Sequence, residues 1–138
     1  MGTGAYGEAI LVRTRTHPPR DLVVKVVRTE HLSEDDLAKA LQEAEVLRRM
    51  SHSNIICCEE SFIEDGKFCI VTDYADGGDL HQYVKKRKET AVRFSEGEVM
   101  RIFVQLCLAL RHVHTLKVLH RDLKSQNVFL TKTGMVKL

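Results

Sequence analysis

The sequence predicts an α+β fold, with strands in the first half of the chain and helices mainly in the second. The segment Asp21 to Arg28 is rich in β-branched residues, which is typical of a buried strand. Ile55 to Ile63 and Lys67 to Tyr74 flank a short glycine-containing turn, which indicates a strand pair. From about Glu96 to Thr115, apolar residues recur at helical spacing.

The remaining elements of the first half follow from turn and cap signals. Ala9 to Arg15 reads as a strand that ends at a proline turn. Ser33 and Asp36 resemble a capping box with a shortened acid, and apolar residues at intervals of three and four then predict a helix that reaches about Met50.

In the second half, a glycine-rich break precedes a short basic helix from Leu80 to Lys88. A second capping box, Ser95 with Glu98, opens the long helix. Two short strands are expected to follow it, Val128 to Leu130 and Met135 to Leu138.

The long helix from Glu96 to Thr115 is apolar on nearly all of its faces. A helix of this kind belongs inside a large core, and few residues follow it that could cover it. The sequence therefore predicts that the chain is part of something larger and that this helix exposes apolar surface.

Bulk composition describes one modest globular domain. The chain has 138 residues, 43% of them hydrophobic, and a formal net charge of +2. This charge is too small to favour a nucleic acid or membrane partner. The longest apolar run, near Ile102 to Leu110, is too short to span a bilayer, and the N-terminus has no secretory signal.

The cysteine and histidine patterns favour structural roles over metal binding. The four cysteines form no Cys-x-x-Cys pair and lie among apolar residues, which predicts buried free thiols in a reducing compartment. His112 and His114 lack a second ligand pair at metal-binding spacing, so structural histidines are expected.

The octapeptide His120 to Asn127 contains the groups that phosphoryl transfer to a hydroxyl requires. Asp122 can accept the proton of the attacking hydroxyl, and Lys124 can neutralise charge on the transferred phosphate. Asn127, five residues after Asp122, can hold a magnesium ion. His120 is expected to be a packing residue that positions this segment.

Gly2, Gly4 and Gly7 fit the pattern G-x-G-x-x-G, which is weak evidence by itself. Here the glycines lead into a strand rather than a helix. Strand context favours a flap whose backbone amides approach phosphate oxygens closely.

Together these motifs resemble the first half of a serine/threonine protein kinase domain, with Lys124 marking the serine/threonine class. The chain is most similar to the NIMA-related (NEK) kinases in three stretches, 74–80, 105–114 and 124–132. The resemblance implies a truncated kinase-like fold: an antiparallel-sheet N-lobe with one αC-type helix, then the first helices and catalytic loop of the helical C-lobe. It places the N-lobe at 1–73, without its first strand, and a partial C-lobe at 74–138 that ends before Asp-Phe-Gly.

The resemblance also implies a nucleotide site with one ion pair. Lys25 would contact the α- and β-phosphates and pair with Glu43, with Glu45 as a competing partner that is better explained as a surface charge. Without the resemblance, Lys25 would be taken as a solvent-facing strand residue. The full set implied to bind ATP is Gly2, Gly4, Gly7, Ala9, Val23, Lys25, Thr72, Asp73, Ala75, Asp79 and Phe129.

Each of these positions has an implied role. Thr72 would be the gatekeeper, and the backbones of Asp73 and Ala75 would bind the adenine edge. Asp79 would meet the ribose hydroxyls. The adenine ring would lie between the side chains of Val23 and Phe129. Ala9 stands where kinases usually have a valine over the base.

The implied function is a cytoplasmic kinase that uses ATP and Mg²⁺ to phosphorylate Ser or Thr of a protein substrate, with cytoskeletal association expected from the family. No nucleic acid or membrane partner is implied. Because the second metal-binding aspartate and the activation segment are absent, the 138 residues alone are expected to be inactive. The alternatives are a non-catalytic ATP-binding or interaction protein, and a fragment without a stable fold.

Overall fold

The computed structural model describes residues 3–4, 7–30 and 32–138, which cluster into two compact units. The first unit comprises Met1–Ser51 and Cys57–Tyr74. The second comprises His52–Ile56 and Ala75–Leu138.

In its described residues, the first unit has an antiparallel sheet of five strands and one helix, as the α+β prediction requires. The strand order is β1-β2-β3-β5-β4. The helix α1 contacts β4. The bounds are Thr3–Gly4 (β1), Gly7–Arg13 (β2), Asp21–Arg28 (β3), Glu34–Arg48 (α1), Cys58–Glu64 (β4) and Lys67–Asp73 (β5). The two-residue strand β1 was not expected from the sequence.

The predicted cap of α1 is confirmed, with one difference in its geometry. Ser33 Oγ accepts a hydrogen bond from the backbone N of Asp36 at 3.2 Å. In return, Ser33 Oγ donates to Asp36 Oδ2 at 2.7 Å, whereas a full capping box would return a bond to the backbone of the cap residue. Ala44 on α1 is fully buried, so the helix is held by packing as well as by its cap.

The second unit contains two α-helices, a 3-10 helix and a two-stranded sheet. The elements are Leu80–Glu89 (α2), Glu96–Thr115 (α3), Ser125–Asn127 (the 3-10 helix), Phe129–Leu130 (β6) and Val136–Lys137 (β7). The predicted bounds of α3 and its capping box are confirmed. The backbone N of Ser95 donates to Glu98 Oε2 at 2.8 Å, and the backbone N of Glu98 donates to Ser95 Oγ at 3.2 Å.

The core of the second unit covers only part of α3. Val128, Leu130 and Val136 are buried, and Ile102 and Leu106 of α3 pack against them. Other apolar side chains of α3 are exposed, as the sequence predicted: Val99, Met100, Phe103, Val104 and Leu108.

Strand β4 begins three residues later than the sequence predicted, at Cys58. The residues before it bond elsewhere in the second unit. The backbone N of Ile56 donates to the carbonyl O of Leu138 at 2.9 Å, and the backbone N of Leu138 donates to the carbonyl O of Asn54 at 2.9 Å. A β-propensity pattern cannot reveal that Leu138, more than 80 positions further along the chain, will bond to these backbone groups.

All four cysteines are free thiols, as predicted. Cys58 and Cys69 are buried, whereas the expectation of burial is wrong for Cys57 and Cys107, which are exposed. Within the described residues, no helix combines the length and apolar character that crossing a membrane requires.

Candidate active site

One face of the five-stranded sheet gathers four of the predicted nucleotide-binding residues. Lys25 on β3 lies opposite Ala9 of β2, and Val23 lies opposite Thr72 of β5. Directly opposed residues of antiparallel strands project to the same face, and residues two apart on one strand do so too. Ala9, Val23, Lys25 and Thr72 therefore share this face.

At the edge of this sheet, Gly7 occupies a position that no other residue can fill without strain. Its φ is +121°, and a Cβ atom would lie 2.1 Å from the carbonyl oxygen of Val26. Gly4 of β1 pairs with Gly7 of β2. Gly2 lies outside the described residues.

The predicted ion pair between Lys25 and Glu43 is not formed among the described residues. Both side chains are exposed, and neither has a partner of opposite charge within 4.0 Å. Because Lys25 is solvated, it does not require a counter-ion. Glu45 instead pairs with Arg48 at 3.7 Å and Arg49 at 3.2 Å, so its interpretation as a surface charge is confirmed.

The end of β5 presents its backbone and side chain to different partners. The backbone N of Asp73 donates to the carbonyl O of Cys57 at 3.0 Å. The carboxylate of Asp73 lies 3.3 Å from Arg20 Nη2. The N–H of Asp73 is therefore committed within the sheet unit.

In the second unit, Asp79 is the N-cap of α2. Its Oδ1 accepts from the backbone N of Gln82 at 2.8 Å, and its Oδ2 accepts from Gln82 Nε2 at 2.7 Å. Asp79 also forms an isolated β-bridge with Phe129, whose side chain is partly exposed. Ala75 is buried in the same unit. A ribose hydroxyl could use Asp79 only by sharing or displacing the Gln82 amide, a competition that the sequence did not reveal.

The backbone of the 120–127 segment has an uncommon conformation at Arg121, where φ is 62°. Around it, the backbone N of Asp122 donates to the carbonyl O of His120 at 2.8 Å, as in a γ-turn with a positive central φ. His120 Nδ1 accepts from the same N at 3.3 Å. Such strained positions persist where the surroundings hold them, and here they fix the direction of Asp122.

The side chains of Lys124 and Asn127 both contact one carboxylate oxygen of Asp122. Lys124 Nζ lies 2.8 Å from Asp122 Oδ2, and Asn127 Nδ2 donates to the same oxygen at 2.7 Å. Asn127 Nδ2 also donates to the backbone O of Asp122 at 2.8 Å. The hydrogen bond from Lys124, followed by that from Asn127, lowers the pKa of Asp122 below its ordinary value, so this exposed group is a carboxylate at neutral pH.

This arrangement leaves two oxygen atoms for other ligands. Asp122 Oδ1 receives no hydrogen bond from the described residues, and because Asn127 uses its amide nitrogen internally, its amide oxygen is also available. Carboxylate and amide oxygens are hard ligands that suit Mg²⁺. No group of three His, Cys, Asp or Glu side chains in the described part of the chain could hold a metal by itself. A magnesium ion here would need phosphate oxygens as further ligands.

Helix α2 lies beside the 3-10 helix Ser125–Asn127. The backbone N of Leu80, its first residue, donates to the carbonyl O of Val128 at 2.7 Å, immediately after that helix. No local pattern indicates this neighbour relation, because Glu89, the end of α2, and Ser125, the start of the 3-10 helix, are 36 positions apart along the chain.

The whole chain matches the protein kinase domain family, over residues 1–138. The chain belongs to the protein kinase domain family. Its fold and its 120–127 segment agree with this membership, and the resemblance to NEK kinases is confirmed by the relatives below.

Three curated relatives of this kinase chain illustrate the similarity. It is 44% identical to the serine/threonine-protein kinase Nek1 of Mus musculus over 138 residues, which is 100% of this chain and 11% of Nek1. It is 41% identical to Nek3 of Mus musculus, covering 100% of this chain and 26% of Nek3. It is 38% identical to Nek5 of Homo sapiens over 136 residues, covering 99% of this chain and 19% of Nek5. The chain thus spans about a tenth to a quarter of the length of these relatives.

Proposed function

We propose that the protein is an ATP-dependent serine/threonine protein kinase and that this chain carries its nucleotide-binding and hydroxyl-activating residues. The observation that carries the proposal is the convergence of Lys124 and Asn127 on one oxygen of Asp122, with the other oxygen open. The similarity to serine/threonine-protein kinases across the whole chain supports it.

In the proposed reaction, Asp122 Oδ1 accepts the proton of the substrate hydroxyl as the hydroxyl oxygen attacks phosphorus. The hydrogen bonds at Oδ2 fix the carboxylate in one orientation and keep it ionised, so that it acts as an acceptor at neutral pH. The Lys124 ammonium lies beside this oxygen and stabilises negative charge on the transferred group. The bond between the γ-phosphorus of ATP and the bridging oxygen breaks as the new bond forms, so that ADP leaves, and a bound magnesium ion would neutralise charge on the phosphates.

The sheet unit supplies the proposed contacts to the nucleotide. Lys25 shares a face with Ala9, Val23 and Thr72, so one ammonium and three small or apolar side chains face the same side. This combination suits an apolar base linked to phosphates. In the second unit, Ala75, Asp79 and Phe129 are proposed to contribute, and Asn127 is proposed to bind magnesium through its amide oxygen.

A second candidate is a non-catalytic ATP-binding protein. It is favoured by one observation: the described residues contain no cluster of three metal-ligating side chains. Asn127 with phosphate oxygens would then bind magnesium less tightly than a site with two protein ligands, and phosphoryl transfer would be slow.

Thermal melting tests nucleotide binding. We expect Mg-ATP to raise the melting temperature of the chain, because a ligand that binds only the folded state stabilises it. Lys25→Ala should abolish this shift. Lys67→Ala, which removes another exposed lysine of the same sheet, should retain it. A cooperative melt that ATP leaves unchanged in the unsubstituted chain would refute nucleotide binding.

Phosphoryl transfer separates the two candidates. The full-length protein that carries this chain is incubated with Mg-ATP labelled at the γ-phosphate and dephosphorylated casein as the acceptor, because the 138 residues alone are expected to be inactive. Under the kinase proposal, transfer to serine or threonine is measurable, and Asp122→Asn lowers its rate about 10²-fold or more while the ATP-induced melting shift remains. A shift without any transfer would favour the non-catalytic candidate.

The finer assignments rest on the relatives. We propose a protein substrate with a Ser or Thr acceptor, because the relatives are serine/threonine-protein kinases. A cytoplasmic site of action with a cytoskeletal association is proposed from the NEK resemblance. Fractionation of cells that express the tagged chain, with and without microtubule depolymerisation, tests this assignment.

A further inference from the structure

Helix α2 concentrates positive charge. The run Lys85–Glu89 contains four cations and one carboxylate, a formal charge of +3, whereas the whole chain carries +2. The remainder of the molecule is therefore slightly acidic, and α2 stands out as its basic element.

One of these four cations is used within the fold. Arg87 donates to Tyr83 Oη at 2.9 Å and forms an ion pair with Glu98. Its guanidinium carbon lies 4.9 Å from the centre of the Phe94 ring. This contact turns Arg87 inward and joins the end of α2 to the start of α3.

The other three cations, Lys85, Lys86 and Lys88, are exposed and have no ion pair with any carboxylate of the described residues. Two exposed lysines elsewhere in the chain do have such partners. Lys39 Nζ lies 3.5 Å from a carboxylate oxygen of Asp36, and Lys132 Nζ lies 3.9 Å from one of Asp76. We call Lys85, Lys86 and Lys88 the α2 basic surface.

Helix stabilisation does not account for the whole surface. Cations in the last turn of a helix interact favourably with its dipole, which explains Lys86 and Lys88. Lys85 lies before the last turn, and Arg93 adds an exposed cation after the helix has ended.

Helix α2, which carries the basic surface, begins beside the 120–127 segment. Leu80, at the start of α2, is hydrogen bonded to Val128, and α2 contacts the 3-10 helix that contains Asn127. With a rise of about 1.5 Å per residue, the lysines lie about 8–12 Å along the helix from Leu80. An extended peptide covers that distance in about three or four residues.

We propose that the α2 basic surface binds an acidic segment of a partner protein. That this surface binds an acidic segment does not depend on the proposed kinase function. That the segment belongs to a substrate, which docks there beside the hydroxyl-activating residues, rests on the proposed function. The acidic residues of a substrate would then lie about three or more positions from the phosphorylated hydroxyl.

The size and surroundings of the surface favour an acidic peptide over other anions. Single-stranded nucleic acid sites combine cations with exposed aromatic rings, whereas Tyr83 and Phe94 are packed around Arg87. Lipid-binding clusters contain about four to eight cations, whereas the α2 basic surface has three and reaches only the lower end of that range when the neighbouring Arg93 is counted with it.

Fluorescence anisotropy with a labelled peptide of ten glutamates tests the proposal directly. The chain should bind this peptide, and binding should weaken as salt is raised. The triple variant Lys85→Ala, Lys86→Ala, Lys88→Ala should bind it about tenfold more weakly. A triple Lys→Arg variant at the same positions should bind as the unsubstituted chain does.

A matched control keeps the net charge change equal. The triple variant Lys39→Ala, Lys67→Ala, Lys132→Ala removes three exposed lysines elsewhere and should change the affinity less than about twofold. Equal losses in the two triple variants would overturn the proposal, because they would show an effect of net charge alone. Circular dichroism of each variant checks that the fold is retained.

The other ligand classes are outcomes of the same assay. An RNA decamer or phosphatidylserine vesicles that bind this surface more tightly than the glutamate peptide would overturn the assignment of a protein partner. Since no ATP is present, loss of peptide binding is distinguishable from failure of the kinase proposal, which is decided by the ATP-induced melting shift.

Discussion

The side chain of Asn54 joins two distant parts of the second unit through Gln105. Asn54 Nδ2 donates to Gln105 Oε1 at 2.9 Å and to the carbonyl O of Val136 at 2.9 Å. Gln105 Oε1 also accepts from the backbone N of Val136 at 2.9 Å. Asn54 is the buried polar residue of the described core, so its hydrogen bonds offset the cost of its desolvation.

We expect Asn54→Ala to lower the free energy of unfolding by about 2 kcal/mol, because it removes one buried and one part-buried hydrogen bond and takes a donor away from the carbonyl O of Val136. Urea denaturation measures this loss. Gln126→Ala, which changes an exposed amide that forms no side-chain hydrogen bond with the described residues, is the control and should change the free energy by less than about 0.5 kcal/mol. Equal effects would show that the Asn54 contacts do not stabilise the unit.

Two glycines should respond to alanine in opposite directions. Gly7→Ala should cost more than about 2 kcal/mol of stability, because its Cβ would lie 2.1 Å from the Val26 carbonyl oxygen at a φ of +121°. Gly97 lies in α3 with nothing near its Cβ position, so Gly97→Ala should stabilise the chain by about 0.5 kcal/mol. Thermal or urea unfolding of both variants measures the contrast, and a stable Gly7→Ala chain would contradict the described strand register.

His52 and His112 form a stacked pair that should make stability depend on pH. Their ring centres are 5.2 Å apart, and His52 Nδ1 accepts from the backbone N of Asn54 at 3.0 Å. Burial, followed by the nearby charges of His112, Arg111 and Lys137, lowers the pKa of His52. The unfolded chain therefore binds a proton more readily than the folded chain.

The free energy of unfolding should consequently be highest above the unfolded pKa of about 6.5 and fall as the pH drops below it, until the folded pKa is passed. His112→Phe keeps a ring in the stack but removes an ionisable neighbour of His52, so it should raise the pKa of His52 and reduce this dependence. NMR titration of the imidazole and urea unfolding at several pH values measure both effects. His114→Phe, two residues away and exposed, is the control that should leave the His52 pKa in place.

The same substitution probes a buried nitrogen. His112 Nε2 is buried without a hydrogen-bond partner among the described residues. Because an unsatisfied buried polar atom is costly, His112→Phe should leave the stability at neutral pH unchanged or increase it. A large loss would indicate that this nitrogen has a partner in solution.

The lowered pKa of Asp122 should depend on Lys124 more than on any other group. We expect Lys124→Ala to raise the Asp122 pKa toward its ordinary value of about 3.9, because the largest stabilising hydrogen bond of the carboxylate is lost. Carboxyl NMR titration measures the change. In the unsubstituted chain, the stability contributed by this group is present above about pH 4 and is lost as the pH falls through the folded pKa. Lys132→Ala, at a different carboxylate, should leave the Asp122 titration unchanged.

Asn127 should determine the magnesium dependence of ATP binding. If its amide oxygen binds the metal, Asn127→Ala should reduce the melting shift caused by Mg-ATP to that caused by ATP with EDTA. Gln126→Ala should retain the difference between the two conditions. An unchanged magnesium dependence in Asn127→Ala would place the metal ligands elsewhere.

The sequence predicted elements with strong local signals and missed relations between distant segments. The cap residues Ser33 and Ser95 were found because their hydrogen bonds reach only three residues along the chain. The start of β4 was placed too early, because Ile56 bonds to Leu138, a partner that no local pattern can indicate. The engagement of Asp79 by Gln82 was also missed, although both lie at the start of α2.

For the candidate site, spacing along the chain identified Asp122, Lys124 and Asn127, because they lie within one short loop and act together through local contacts. Ala9, Val23 and Thr72 needed the sheet register to share a face with Lys25. The ion pair expected between Lys25 and Glu43 would join a strand and a helix. Whether it forms depends on how the helix packs against the sheet, which spacing along the chain does not encode, and it is not formed among the described residues.

The sequence by itself determined the class of the fold, the order of its elements and the chemistry of the 120–127 loop, since these depend on residue type and short-range periodicity. Only the tertiary structure decided which strands are neighbours and which groups accept hydrogen bonds from the Asn54 side chain. It also decided that the basic helix α2 lies beside the 3-10 helix that contains Asn127. The physical reason is that a contact between segments far apart in sequence forms only when the rest of the chain brings them together, and its energy belongs to that arrangement rather than to either segment.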